Sequence, residues 1–217
     1  MRGRLVALEG LDGCGKTTQA VLLAERLGAE LTFEPGATAL GVSLRGILLH
    51  TGTAGVMGVE VSPMAEALLM AADRAQHVAE VVEPILERGR WVVTDRFSGS
   101  TLAYQGYGRG IALDQLRCLV EMASGGLWPD LTVLVDVSPD VARQRMGRSR
   151  LIEGSVPDRL ERAGHGFADR VREGYLALAE ADPLGWAVVD GGLDRESVAA
   201  GIWKAVCDRL GEPVVDA

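Results

Sequence analysis

Short runs of aliphatic and β-branched residues alternate along this chain with longer stretches of helical pattern, and no other feature limits its fold as much. Arg4–Glu9 (RLVALE), Trp91–Asp95 (WVVTD) and Leu131–Val137 (LTVLVDV) read as strands. Glu30–Phe33 and Trp186–Asp190 read as two more. Between them lie helical segments with recognisable punctuation. Lys16–Leu27 is closed by Gly28, and Ser62-Pro63 supplies an N-cap and a first-turn proline for a helix running to Arg88, with Gly89 as its stop. Residues 39–50 and Leu113–Ala123 are helical in pattern. Ser138-Pro139 starts another helix at 140, and two more cover about 160–181 and 195–210. Strand and helix in alternation are the signature of βαβ units, so the expectation is an α/β domain with a five-stranded parallel sheet flanked by helices. Residues 51–62, rich in Gly and Thr, read as a loop, and the polar, broken segment 147–159 reads as a small lid.

At 217 residues with 47% hydrophobic and 24% charged side chains, the chain has the size and composition of a single folded domain over 1–217. Thirty acidic against 22 basic residues leave a net charge of −8, which argues against nucleic acid or an anionic membrane as its partner. Cys14, Cys118 and Cys207 have no metal-ligand spacing and read as reduced thiols. No apolar run approaches the roughly 18 residues of a membrane span, and the N-terminus lacks a leader pattern, so the expected location is the cytoplasm.

Directly after the first strand stands Gly10-Leu-Asp-Gly-Cys-Gly-Lys16-Thr17, a GxxxxGK[ST] phosphate loop in its required strand–loop–helix setting. Gly10, Gly13 and Gly15 allow the backbone around Cys14 to turn its N–H groups toward phosphate oxygens at a helix start. Lys16 is then placed to reach the β- and γ-phosphates, Thr17 to ligate Mg²⁺, and Thr18 to complete the turn. Cys14 reads chiefly as a small residue that fits the loop, at a position where a helix start lowers a thiol pKa. Guanine recognition of the GTPase kind would need NKxD, which is missing. Ligands of open α/β sheets bind beyond the carboxyl ends of the strands, and there the chain places Asp12, Glu34, Asp95-Arg96 and Asp136. Asp95 or Asp136 can hold Mg²⁺ through water, or Asp136 can cap a helix.

Asp95–Gly106 (DRFSGSTLAYQG) combines an arginine, hydroxyls, an amide and a tyrosine in a stretch that reads as turn-rich and suits a polar ligand with a flat ring. Here the chain resembles the thymidylate kinase family, P-loop nucleoside monophosphate kinases with EGxDGxGKTT, EPGxT, LLFAADRAQH and DRxxxSxxAYQG motifs. In this sequence they read Glu9–Thr18, Glu34–Thr38, Leu68–His77 and Asp95–Gly106. The resemblance implies a P-loop NTPase fold, ATP as co-substrate, Mg²⁺, a homodimer, and transfer of the ATP γ-phosphoryl to dTMP for dTTP synthesis. It also implies roles. Arg96, with Arg45 as a second contact, grips the acceptor phosphate, and Asp12 meets the sugar 3′-OH. Tyr104 sits against the 2′ position. Arg74 donates to the base O4, while Ser100, Thr101 and Gln105 touch the base. No arginine accompanies the loop at Cys14, so Arg148 or Arg150 of the lid is the expected catalytic cation.

Two positions depart from the family pattern. Met70 stands where an aromatic ring usually stacks on thymine, and Phe33 replaces the arginine of REPG. Methionine is apolar and polarizable and still suits a ring face, and Phe33 is a candidate to compensate from another wall. Met70 keeps open an alternative reading as a kinase of another, 5-modified deoxypyrimidine monophosphate. A nucleotide-binding regulatory protein without turnover is the alternative of another class. Phe167 and Tyr175, eight apart on one helix face, read as core, with Phe167 a possible substrate contact near the lid.

Overall fold

The computed structural model describes residues 2–49, 61–153 and 165–211. Its centre is β1 (Leu5–Glu9), all five residues buried, as expected of a run covered on both faces. Strand β1 pairs in parallel with β3 (Val92–Asp95) on one side and β4 (Leu131–Asp136) on the other. β2 (Glu30–Phe33) and β5 (Trp186–Asp190) complete a five-stranded parallel sheet in the order β2-β3-β1-β4-β5. The register sets Leu8 beside Asp95 and Glu9 beside Leu134, so the segments leaving β1 and β3 emerge next to each other.

Helices cover both faces. α1 (Lys16–Leu27) ends at left-handed Gly28, and α9 (Arg195–Leu210) starts from Asp194, whose carboxylate accepts the Ser197 N–H at 2.9 Å. They cover the face where Val6, Leu8, Leu131 and Val133 are buried, whereas α8 (His165–Ala181) covers the opposite one, its Arg172 and Tyr175 bonded to Asp136 and Glu9. On the other face Leu5, Ala7, Val92 and Phe97 meet Val78, Val82 and Leu86. Fully burying such side chains contributes about 1.5–3 kcal/mol each, which makes the two-sided sheet the main source of stability.

α2 (Ala39–Leu49) precedes residues outside the description, and the expected loop 51–62 is described only from 61 onward. α3 (Pro63–His77) begins as expected, with Ser62 Oγ accepting the Ala65 N–H at 3.3 Å. The helix expected to run unbroken to Arg88 instead passes through a π-helical turn, Val78–Val82, into α4 (Glu83–Glu87). Pro84 explains the wider turn, because its ring has no N–H to donate and crowds the carbonyl four residues back.

Two further expectations are corrected. Residues after Arg96 are not turn-rich but helical, as α5 (Ser98–Thr101) followed by a π-helical stretch, Leu102–Gly108. Their hydroxyl and amide groups bond to distant partners, Glu9, Arg74 and Glu66, and so do not divert their own backbone into turns. α6 (Leu113–Ser124) follows. Residues 147–153 of the expected lid continue α7 (Pro139–Glu153), in keeping with the helix preference of Arg, Leu, Ile and Glu there. The rest of the lid, 154–159, and the helix start at 160–164 lie outside the described residues.

Candidate active site

β1 hands the chain directly to the phosphate loop. Gly13 (φ 84°) and Gly15 (φ 97°) adopt left-handed conformations, and a Cβ on Gly13 would lie 2.4 Å from the Ala142 carbonyl oxygen of α7. Only glycine lets the loop pass that close. Lys16 is 5% exposed, its ammonium 3.3 Å from Asp12 Oδ1 and 3.5 Å from the Leu11 carbonyl. Cys14 is buried in the core, and burial pushes its thiol up rather than down as a helix start would. The Thr17 hydroxyl donates to Asp95 Oδ2, while Asp95 Oδ1 is buried without a partner among the described residues. A hydroxyl and a carboxylate with an unused lone-pair oxygen form a hard oxygen set that fits Mg²⁺ held partly through water. Asp136, the other candidate, is taken by a bidentate ion pair with Arg172 at 2.8 and 2.7 Å.

The nine residues expected to meet the acceptor nucleotide line one cavity: Asp12, Arg45, Met70, Arg74, Arg96, Ser100, Thr101, Tyr104 and Gln105. Glu34, Pro35 and Leu49 complete its wall. A second cavity, holding Lys16, Thr17 and Asp95, shares Asp12, Glu34, Arg45 and Arg96 with the first, so the two adjoin at these residues. Phe33 belongs to this second, phosphate-side cavity and not to the one containing Met70, so it does not replace the missing ring.

Arg96 is the hub. Nη2 donates to Asp12 Oδ1 at 2.6 Å and to the Tyr104 hydroxyl at 3.1 Å, and Nη1 donates to Ser100 Oγ at 2.8 Å and the Tyr175 hydroxyl at 3.3 Å. Its backbone has φ 74°, alone among described non-glycine residues, a conformation costing about 1–2 kcal/mol. Burial raises the Asp12 carboxyl, but Arg96 and Lys16 outweigh it and hold Asp12 well below the usual carboxylate range. The Tyr104 phenol moves up, chiefly by burial, and so remains a donor, reaching Asp12 Oδ2 at 3.1 Å. Edge contacts with Phe167 and Tyr175, ring centres 6.0 and 6.2 Å away, fix the Tyr104 ring. Phe167 therefore packs behind the cavity and is not among its lining residues.

Sequence reasoning missed the groups beneath this surface. Glu34 is buried and accepts Arg74 Nε at 3.0 Å, Arg74 Nη2 at 2.7 Å and His77 Nδ1 at 2.9 Å. Arg74 also donates to Phe97 O and Thr101 Oγ1, each at 2.9 Å, leaving one Nη1 N–H for a ligand. Gln105 donates to Glu66 Oε1 at 2.7 Å. Glu9 has no exposure and accepts four bonds: from Phe97 N, Ser100 N and Tyr175 OH at 2.9 Å, and from Ser100 Oγ at 2.6 Å. Arg145 of α7 donates to Cys14 O at 3.1 Å and Gly191 O at 2.9 Å, tying the phosphate loop to the segment after β5. Of these three buried glutamates, Glu9 and Glu34 were signalled by their place at strand ends within the Glu9–Thr18 and Glu34–Thr38 motifs, and Glu66 lies on α3. Arg148 is exposed on α7 and lines neither cavity, and the Arg150 side chain lies outside the described residues.

A parallel sheet of this order, a phosphate loop and an adjoining cavity rich in fixed cations define a P-loop nucleotide-binding enzyme. The thymidylate kinase family model matches residues 8–202. A thymidylate kinase of Synechococcus sp. (strain JA-3-3Ab) is 48% identical over 212 residues, spanning 94% of this chain and 96% of the relative. That of Deinococcus radiodurans is 44% identical over 213 residues, spanning 96% and 98%. The crystal structure of thymidylate kinase from Ehrlichia chaffeensis superposes with a TM-score of 0.73 at 30% identity, covering 95% of this chain and 99% of that one. The chain belongs to the thymidylate kinase family. These likenesses give no support to a non-catalytic or differently directed reading.

Proposed function

We propose that this chain transfers the γ-phosphoryl group of ATP to the 5′-phosphate of dTMP, giving dTDP and ADP. The observation that carries the reading is that the Arg74–Tyr104 cavity adjoins the Lys16 cavity at Asp12, Glu34, Arg45 and Arg96. A nucleoside monophosphate in the first cavity has its phosphate directed at the loop that holds ATP. The acceptor monoester carries about −1.5 to −2 charge near neutral pH and is its own nucleophile, so no general base is needed. What is needed is alignment of two mutually repelling anions.

Arg96 and Arg45 serve that alignment at the acceptor phosphate; Arg45 is exposed, held by one bond to the Pro35 carbonyl at 2.7 Å, and keeps its other donors for ligand. Lys16, with the N–H groups of residues 10–18, holds the donor phosphates. Asp12 accepts the 3′-OH, Tyr104 closes the 2′ side against ribose, and the spare Arg74 N–H meets O4. Ser100, Thr101, Gln105 and Met70 bound the base. Thr17 and Asp95 would hold Mg²⁺, which would supply neutralisation of phosphate charge. The segment 147–159 acts as the lid of a single 1–217 domain, and Arg148 or Arg150 brings its cation to the transferring group on closure. Leu40, Val42 and Ile47 of α2 and Met64 and Leu68 of α3 are exposed apolar residues that support a homodimer through these helices. Two small anionic substrates and an acidic surface fit a cytoplasmic enzyme that uses neither membrane nor nucleic acid.

ADP release with ATP, Mg²⁺ and a panel of dTMP, dUMP, 5-hydroxymethyl-dUMP, dCMP and UMP tests the reading. Preference for dTMP is expected. Preference for another pyrimidine, or ATP binding without transfer, overturns it, and light scattering at a monomer mass refutes the dimer.

A further inference from the structure

Glu9 ends β1 one residue before the phosphate loop, yet its side chain serves β3 and α5. Both oxygens are fully used. Oε1 accepts the backbone N–H groups of Phe97 and Ser100 at 2.9 Å each, and Oε2 accepts the hydroxyls of Ser100 at 2.6 Å and Tyr175 at 2.9 Å. α5 has no side-chain cap of its own. The carboxylate takes that role from another element, closing on the N–H groups of Phe97 and Ser100 just after left-handed Arg96 (φ 74°). The two hydroxyls that donate to Glu9 are the same two that accept Arg96 Nη1, at 2.8 and 3.3 Å. With its hydrogen committed to Oε2, each hydroxyl turns a lone pair toward the guanidinium.

We infer that Glu9 is a positioning residue for phosphoryl transfer, which fixes the backbone and the guanidinium plane of Arg96 through Ser100 and Tyr175. This rests on the reading of Arg96 as the acceptor-phosphate residue. The consequence is that one residue pair, Glu9 and Gly10, couples the placement of the donor loop to that of the acceptor arginine.

Glu9→Gln isolates the effect. Its carbonyl oxygen still accepts the two backbone N–H groups, whereas its amide N–H₂ faces the hydroxyls and turns their lone pairs away from Arg96. The expected result is a rise in KM for dTMP of about tenfold or more with a lower kcat, KM for ATP within about twofold, and little change in melting temperature. Tyr175→Phe removes one of the two hydroxyls without changing shape and should act in the same direction by less, deciding the matter alone if Glu9→Gln does not fold. Arg96→Ala is the reference. If it raises KM for dTMP selectively and the Glu9 and Tyr175 variants do not, the positioning role is wrong while the function stands. Equal losses for both substrates with lowered melting in the Glu9 variant mark a purely structural carboxylate and also overturn it. If Arg96→Ala itself fails to discriminate between substrates, the reading of Arg96 falls, and the inference with it.

Discussion

Replacing Arg96 separates two consequences of its geometry. Its four terminal N–H groups are engaged by Asp12, Tyr104, Ser100 and Tyr175, so Arg96 meets a bound phosphate through Nε–H and its positive charge, and removing one partner of such a charge pair costs about 3–5 kcal/mol. Truncation to alanine therefore removes about 3–5 kcal/mol of transition-state stabilisation, a fall of roughly 10²–10⁴-fold in kcat/KM for dTMP. ATP contacts Lys16 and the loop instead, so its KM should change far less. Lysine restores the charge but not the reach, since one ammonium cannot serve Asp12 and Tyr104 on one side and Ser100 and Tyr175 on the other. Backbone strain gives an independent readout. With φ at 74°, Arg96→Gly relieves about 1 kcal/mol that Arg96→Ala retains, and so should melt about 2–4 °C higher while being equally inactive. Steady-state kinetics in both substrates and thermal melts of the alanine, glycine and lysine variants make the assay. A loss below tenfold, or equal effects on both substrates, refutes the acceptor role, and identical melting of the alanine and glycine variants refutes the strain.

Asp95→Asn should raise the Mg²⁺ concentration for half-maximal activity about 10–100-fold; unchanged Mg²⁺ dependence in a titration would move the metal elsewhere. Burial raises the Glu34 carboxyl, but Arg74 and His77 prevail and hold it below its ordinary 4.5. Its contribution is then fully present above about pH 4.5 and lost as pH falls through the lower folded value. Glu34→Gln, breaking a buried pair with Arg74, should cost about 3–5 kcal/mol at neutral pH, and the melting gap to the unaltered protein should narrow on acidification; a pH-independent gap contradicts the pairing. Met70→Phe should lower KM for dTMP by about 2–10-fold, since a stacked ring adds about 0.5–1.5 kcal/mol, and a higher KM would show that the cavity has no room for the ring.

The sheet and the phosphate loop were legible because their signals are local. An apolar run followed by GxxxxGKT specifies strand, loop and helix without reference to the rest of the chain. The cavity wall was legible for another reason: apart from Glu34, Pro35, Arg45 and Leu49, its side chains sit on three short stretches, at Asp12, 70–74 and 96–105. What supports them was not legible. Glu9, Glu34 and Tyr175 act across 91, 40 and 79 residues of sequence on Ser100, Arg74 and Arg96 respectively, and no periodicity encodes such pairings. The same long-range bonds explain why 98–108 is helical where Gly, Ser and Gln suggested turns. Arg145 was passed over because four arginines of similar context crowd 143–150, and only the approach of α7 to Gly13 singles it out.

The central position of β1 also governs how the molecule is made. Its neighbours are β3 and β4, and Val6 lies opposite Leu131, so β1 cannot be enclosed until 125 residues beyond Val6 have been added. At about 5–20 residues per second that wait is roughly 6–25 s, during which an apolar strand and its glycine-rich loop have no partner on one side. A chain halted before β4 would carry the complete GxxxxGKT motif without Val135 and Ala142, whose carbonyls lie against Gly10 and Gly13 in the folded loop.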